Sequence, residues 1–132
     1  MLAESVLLYS LSYINNQGGN IELKSNSENV CQMIVDYVAN HFTDPNISLA
    51  KLADIFNYTD KYLSYLFSNR MKLGFNTYLN QLRIGYARNL INQNITSISQ
   101  LAEMCGYSDS SYFSKVFKKL EGISPTEYIR RK

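Results

Sequence analysis

Near its C-terminal end the chain carries a stretch of short hydroxyls and long cations with almost no acid between them. Ser110, Ser111, Ser114, Lys115, Lys118 and Lys119 follow Gly106-Tyr107-Ser108-Asp109, and Leu120-Glu121-Gly122-Ile123-Ser124-Pro125 closes the segment. Hydroxyls both donate and accept hydrogen bonds, and ammonium groups meet anions, so such a face suits phosphates and the polar edges of bases. A degenerate copy lies upstream. Leu52-Ala53-Asp54 returns as Leu101-Ala102-Glu103, and Tyr58-Thr59-Asp60 as Tyr107-Ser108-Asp109, both at an offset of 49. Leu63-Ser64, Phe67, Phe75 and Tyr78 return as Phe113-Ser114, Phe117, Pro125 and Tyr128 at an offset of 50. A repeat of this length points to two equivalent helical modules.

The remaining reactive residue types offer little chemistry. Cys31 and Cys105 stand far apart, there is no CxxC, and His41 is the only histidine. Neither a zinc site nor a disulfide framework is expected, and no metal or cofactor. No serine sits in a nucleophile elbow, no glycine-rich phosphate loop is present, and the carboxylates are scattered, so no enzyme is expected. The 132 residues are enough for one domain or a compact pair of subdomains. Residues 2–9 form a short apolar run without a basic n-region or cleavage site, and nothing approaches a membrane-spanning length, which leads us to expect a cytoplasmic protein without membrane association. Net charge is only +2, yet residues 1–73 balance to −2 and residues 74–132 to +4. The basic half holds the clearer copy of the repeat, as expected if that half meets phosphates.

Helical periodicity and capping residues organise the rest. Residues 1–25 read as an apolar segment and a polar turn-rich connector. Ser27 is expected to cap a helix carrying Val30, Met33, Ile34, Tyr37, Val38 and His41, with His41 as a packing or C-terminal capping residue. Ser48 should cap a helix through Phe56, and Thr59 one to about Met71. Gly74 opens a long helix with an apolar stripe of Phe75, Tyr78, Leu79, Leu82, Tyr86, Leu90 and Ile91, ending near Asn92 to Asn94. Ser97 or Ser99, then Ser108, then Ser124 with Pro125 start three more. No strand pattern emerges. The expected fold is all-α, about seven helices, with two helix-turn-helix subdomains at 26–73 and 95–132 joined by a long linker helix at 74–94.

A helix-turn-helix needs a small residue where its helices cross and a residue tolerant of positive φ in the turn. Ala53 and Ala102 supply the first, Asn57 and Gly106 the second. Leu63, Leu66 and Phe67, or Phe113, Val116 and Phe117, then point inward. Lys61, Ser64, Tyr65 and Ser68 in the first copy, and Ser110, Ser111, Ser114, Lys115 and Lys118 in the second, are left outside. The linker helix, about 18 residues at 1.5 Å each, spans roughly 27 Å, close to one turn of DNA.

Arg83-Ile84-Gly85-Tyr86-Ala87-Arg88-Asn89-Leu90-Ile91, Ile98-Ser99-Gln100-Leu101-Ala102, Gly106 through Ser114, Phe117-Lys118-Lys119 and Gly122-Ile123-Ser124-Pro125 together resemble the DNA-binding domain of AraC/XylS-type transcription regulators, over about residues 27–132. The resemblance implies seven helices, binding of double-stranded promoter DNA, and activation through RNA polymerase. It implies base reading by Lys61, Ser64 and Tyr65 in the first unit and Ser110, Ser111 and Lys115 in the second. Arg83, Lys118 and Lys119 would contact phosphates, and we place the Tyr112 hydroxyl there too. Where the family usually has a glycine after the reading helix, as at Gly122, the first unit has Lys72. In the family this domain usually follows a sensor and dimerisation domain, and residues 2–17 resemble the closing helix of one. We therefore expect a monomeric domain from a longer regulator, with dimerisation left to the preceding part. Two competing readings are a helix-turn-helix interaction module without base readout, and a DNA-repair methyltransferase domain using a reactive cysteine.

Overall fold

The structure, a computed structural model, describes residues 23–132, with side chains from Ser27 onward. The expected apolar leader of residues 7–14 and its connector lie outside the described residues. Seven helices and no strand occur among the described residues: α1 (Leu23–His41), α2 (Leu49–Phe56), α3 (Asp60–Met71), α4 (Phe75–Asn92), α5 (Ile98–Met104), α6 (Ser110–Glu121) and α7 (Pro125–Arg131). The all-α expectation holds. None of these helices is long and apolar enough to cross a membrane.

The described residues divide into two units, one of residues 23–41 with Ile47–Phe75, the other of Phe42–Asn46 with Asn76–Lys132. In the first, α1 contributes Val30, Cys31, Ile34 and Val38 to a core completed by Leu52, Ala53, Leu63, Leu66 and Phe67. Phe67 and Phe75 meet edge to face at 5.7 Å, as do Tyr37 and Phe56 at 5.9 Å. His41 ends α1 as expected: its Nδ1 lies 2.8 Å from the Tyr37 carbonyl oxygen and its ring stacks on Tyr37 at 4.0 Å. Ser27 is not the start of this helix, which already runs from Leu23. A serine in a helix interior is tolerated where packing of the apolar face fixes the backbone.

The second unit packs around Ile84, Ala87, Leu90 and Ile91 of α4, Leu101, Ala102 and Cys105 at α5, Tyr107, and Phe113, Val116 and Phe117 of α6. Leu79, Leu90 and Ile91 of the expected α4 stripe are buried, whereas Tyr78, Leu82 and Tyr86 are only half-buried. Ile84, Ala87 and Arg83 are buried as well, so α4 is covered over a wider arc than one stripe.

Candidate nucleic-acid interface

The two copies of the repeat build the same local structure with different residues. Ser48 Oγ accepts from the Lys51 N–H and starts α2; Ser97 Oγ accepts from the Gln100 N–H and starts α5. Ala53 and Ala102, each 2% exposed, sit where side-chain bulk would force the helices apart. Each turn then closes through one equivalent bond, the Tyr58 N–H to the Ala53 carbonyl at 2.8 Å and the Tyr107 N–H to the Ala102 carbonyl at 2.9 Å. This chain reversal requires a left-handed residue: Asn57 has φ 60° and ψ 48°, and Gly106 has φ 96°. Gly106 is needed for space too, because a Cβ there would lie 2.9 Å from the Thr43 carbonyl oxygen and 3.0 Å from that of Phe42.

The second helix of each unit starts from a side-chain cap. Thr59 Oγ1 accepts from the Tyr62 N–H to start α3, as expected. For α6 the cap is Asp109, whose carboxylate accepts from the Ser111 N–H at 2.9 Å, and not Ser108. The negative charge of Asp109 at a helix N-terminus adds a favourable dipole interaction that a neutral serine lacks. At the far ends, the Lys72 N–H reaches the Ser68 carbonyl and the Gly122 N–H the Lys118 carbonyl, with φ 62° and 85°. Lys72 thus takes the conformation that glycine takes in the second unit, at a cost of about 1–2 kcal/mol.

Three buried anchors hold each of these helices: Leu63, Leu66 and Phe67 in α3, and Phe113, Val116 and Phe117 in α6. Their spacing turns the remaining positions outward. Lys61, Ser64, Tyr65 and Ser68 are exposed on α3, Tyr65 at 69%; Ser110, Ser111, Lys115, Lys118 and Lys119 are exposed on α6. Ser114 is half-buried. Tyr112, Lys115 and Lys119 follow one another at i, i+3 and i+7 and so share one flank of α6, while Ser111 and Lys118 lie along another. Tyr112 is 51% exposed with its ring against Tyr107 at 5.9 Å; Tyr62, at the matching place in α3, is 38% exposed beside Tyr58 at 5.5 Å.

Arg83, expected at a phosphate, is a correction. It is 7% exposed, its Nε donates to the Phe42 carbonyl at 2.7 Å, and its Nη2 to the Asp44 carbonyl at 2.9 Å. Its guanidinium lies 5.0 Å from the centroid of the Tyr107 ring, and the Tyr107 hydroxyl donates to Asn80 Oδ1 at 2.7 Å. Burial pulls the Arg83 pKa down and pushes that of Tyr107 up. An arginine committed to two backbone carbonyls fixes the Phe42–Asn46 segment, and its 7% exposure leaves little of the guanidinium open to a phosphate. Arg130 and Arg131 are exposed, but both pair with Glu127, at 2.8 and 2.9 Å.

The cysteines are core thiols. Cys31 is 6% exposed and Cys105 fully buried; desolvation raises both pKa values, that of Cys105 to about 12. A thiol held protonated and out of solvent is a poor nucleophile, which removes the support for a methyltransferase reading. No cluster of His, Cys, Asp or Glu suited to a metal occurs among the described residues.

Two helix-turn-helix units, each presenting hydroxyls and cations from its second helix, define a DNA-binding domain. A family model described as a helix-turn-helix domain matches residues 52–131. The chain belongs to the AraC/XylS family of transcription-regulator DNA-binding domains. Over 114 residues it is 32% identical to YijO of Escherichia coli K12, an uncharacterized HTH-type transcriptional regulator, covering 86% of this chain and 40% of that protein. Over 127 residues it is 28% identical to the arabinose operon regulatory protein of the same organism, covering 96% of this chain and 42% of that protein. The C-terminal domain of AraT, a response regulator from Geobacillus stearothermophilus, has a TM-score of 0.75 and 29% identity to it, covering 78% of this chain and 85% of that one. The chain thus spans less than half the length of these two curated relatives.

Proposed function

We propose that this chain binds double-stranded promoter DNA sequence-specifically, with α3 and α6 entering successive major grooves, and that it serves as the DNA-binding part of a transcription activator that contacts RNA polymerase. The observation that carries the reading is the repetition of one arrangement: a capped helix, a left-handed turn and a second helix with three buried anchors and an exposed polar face. In it, Lys61, Ser64 and Tyr65 read bases for the first unit and Ser110, Ser111 and Lys115 for the second. Lys118, Lys119 and the Tyr112 hydroxyl meet phosphates. Lys118 and Lys119 also offset the dipole at the end of α6, so both roles favour cations there.

The proposal assigns residues 26–73 and 95–132 to the two reading subdomains and residues 74–94 to the link between them. Support for reading successive grooves comes from the repeat and from the length of α4, whose 18 residues rise about 27 Å. In a longer regulator, dimerisation and effector sensing would belong to the preceding part, and the whole would act in the cytoplasm. The second unit should dominate binding, since it holds Lys115, Lys118 and Lys119 on one helix. Titration of a selected duplex with Lys115→Ala and Lys61→Ala tests this: Lys115→Ala should weaken specific binding more, by about 1–3 kcal/mol for a lost base contact. Equal losses, or the reverse order, would contradict the ranking; binding insensitive to salt and competitor DNA would favour an interaction module instead.

A further inference from the structure

A groove of about 220 Å³ runs between α4 and α6 in the second unit, lined by Thr77, Asn80, Tyr112, Lys115, Lys119 and Leu120, with Val116 at its base. Its chemistry is two-sided. Tyr112, Val116 and Leu120 give it an apolar floor, and Leu120 and Tyr112 stay 39% and 51% exposed there. The polar lining favours an acceptor-rich, anionic partner: it holds two ammonium groups, and hydroxyls of Thr77 and Tyr112 that can donate as well as accept, with no acid among them. Two further contacts deepen that bias. Asn80 Oδ1 is taken by the Tyr107 hydroxyl, and Glu121, the one acid of α6, is held by Arg88 at 2.8 Å.

We propose that this groove binds a small amphipathic carboxylate, its apolar body against Leu120, Val116 and the Tyr112 ring and its carboxylate between Lys115 and Lys119. Charge complementarity selects an anion, and charge-assisted hydrogen bonds from the two ammonium groups orient it. The floor selects an anion with an apolar body over a bare phosphate. The volume lies below the roughly 300–1,000 Å³ of sites for drug-sized ligands, which limits the occupant to a compact one. A carboxylate held there occupies Lys115 and Lys119, so it competes with DNA; this second step rests on the function proposed above, the first does not.

The test is titration of the full chain with 2-naphthoate, followed by backbone amide NMR shifts. Parallel titrations use the neutral 2-naphthamide and inorganic phosphate. Saturable shifts at Thr77, Tyr112, Lys115 and Leu120 are expected with naphthoate. Both Lys119→Gln and Leu120→Gln should weaken its binding about tenfold, the equivalent of one lost contact. Leu120→Gln, outside the proposed DNA contacts, should leave duplex affinity unchanged. Equal binding of naphthamide would reduce the site to apolar adhesion, equal binding of phosphate to a bare anion contact, and absence of saturable shifts would remove it; each overturns the proposal. Naphthoate should also displace a bound duplex; binding without displacement would overturn the competition. Failure of the ligand-free chain to bind duplex would overturn the DNA reading and leave the groove to be judged by the shifts.

Discussion

Two glycines with similar φ should respond very differently to a single methyl group. Gly106 and Gly122 have φ of 96° and 85°, so alanine at either position adopts a left-handed conformation at about 1–2 kcal/mol. Alanine also lowers the entropy of the unfolded chain, which returns about 0.4–1 kcal/mol. At Gly122 nothing lies within 4 Å of the added Cβ, so Gly122→Ala should cost about 1 kcal/mol net. At Gly106 the Cβ would lie 2.9 Å from Thr43 O and 3.0 Å from Phe42 O, both backbone atoms. Arg83 holds the Phe42 carbonyl at 2.7 Å, so the segment cannot withdraw without lengthening that bond. Overpacking of this kind costs about 1–3 kcal/mol more, giving a total of about 2–4 kcal/mol for Gly106→Ala. Equilibrium urea unfolding of the two variants, read by far-ultraviolet circular dichroism, measures the difference directly. Losses equal within about 0.5 kcal/mol, the usual scatter of a surface substitution, would refute the packing argument at Gly106.

Other substitutions test the account elsewhere. Lys72→Gly relieves a left-handed lysine in open surroundings and should stabilise the chain by about 0.5–1 kcal/mol, seen as a higher urea midpoint; a loss would mean that the Lys72 side chain contributes contacts of its own. Arg83→Met removes donors from two carbonyls and should cost about 3 kcal/mol while leaving the salt slope of DNA binding unchanged; a slope reduced by about one would restore a phosphate role. Because the Cys105 pKa rises from 9.0 to about 12 on folding, the folded state binds more protons in that window. Stability should therefore be full below about pH 9 and fall as pH rises towards 12, and Cys105→Ala should flatten part of that fall in pH-dependent unfolding.

Much of the architecture was legible because it depends on local rules. Ser48, Thr59, Ser97 and Ser124 cap helices since a hydroxyl at the right offset accepts an otherwise orphaned N–H, and Asn57 and Gly106 turn the chain since few residues adopt positive φ. The choice of Asp109 over Ser108 was not legible from residue type: both can cap, and only the hydrogen bond to Ser111 separates them. Arg83 misled for a different reason. Its partners lie 41 and 39 residues away in a loop, so nothing near it in sequence distinguishes a buried arginine from one that meets a phosphate. The exposed faces of α3 and α6 followed from the spacing of their phenylalanine and leucine anchors, whereas the groove beside Leu120 needs α4 and α6 side by side before Thr77 and Asn80 join Lys115 and Lys119.

The central claim, that both units read bases on one duplex, is tested most directly by selecting bound duplexes from a random pool at two salt concentrations. The account predicts two short motifs about one helical turn apart, lost separately when Tyr65 or Lys115 is replaced by alanine. Recovery of a single motif would contradict reading by both units. No enrichment, together with a steep fall in affinity with salt, would contradict base readout altogether and leave phosphate contacts as the only basis of binding.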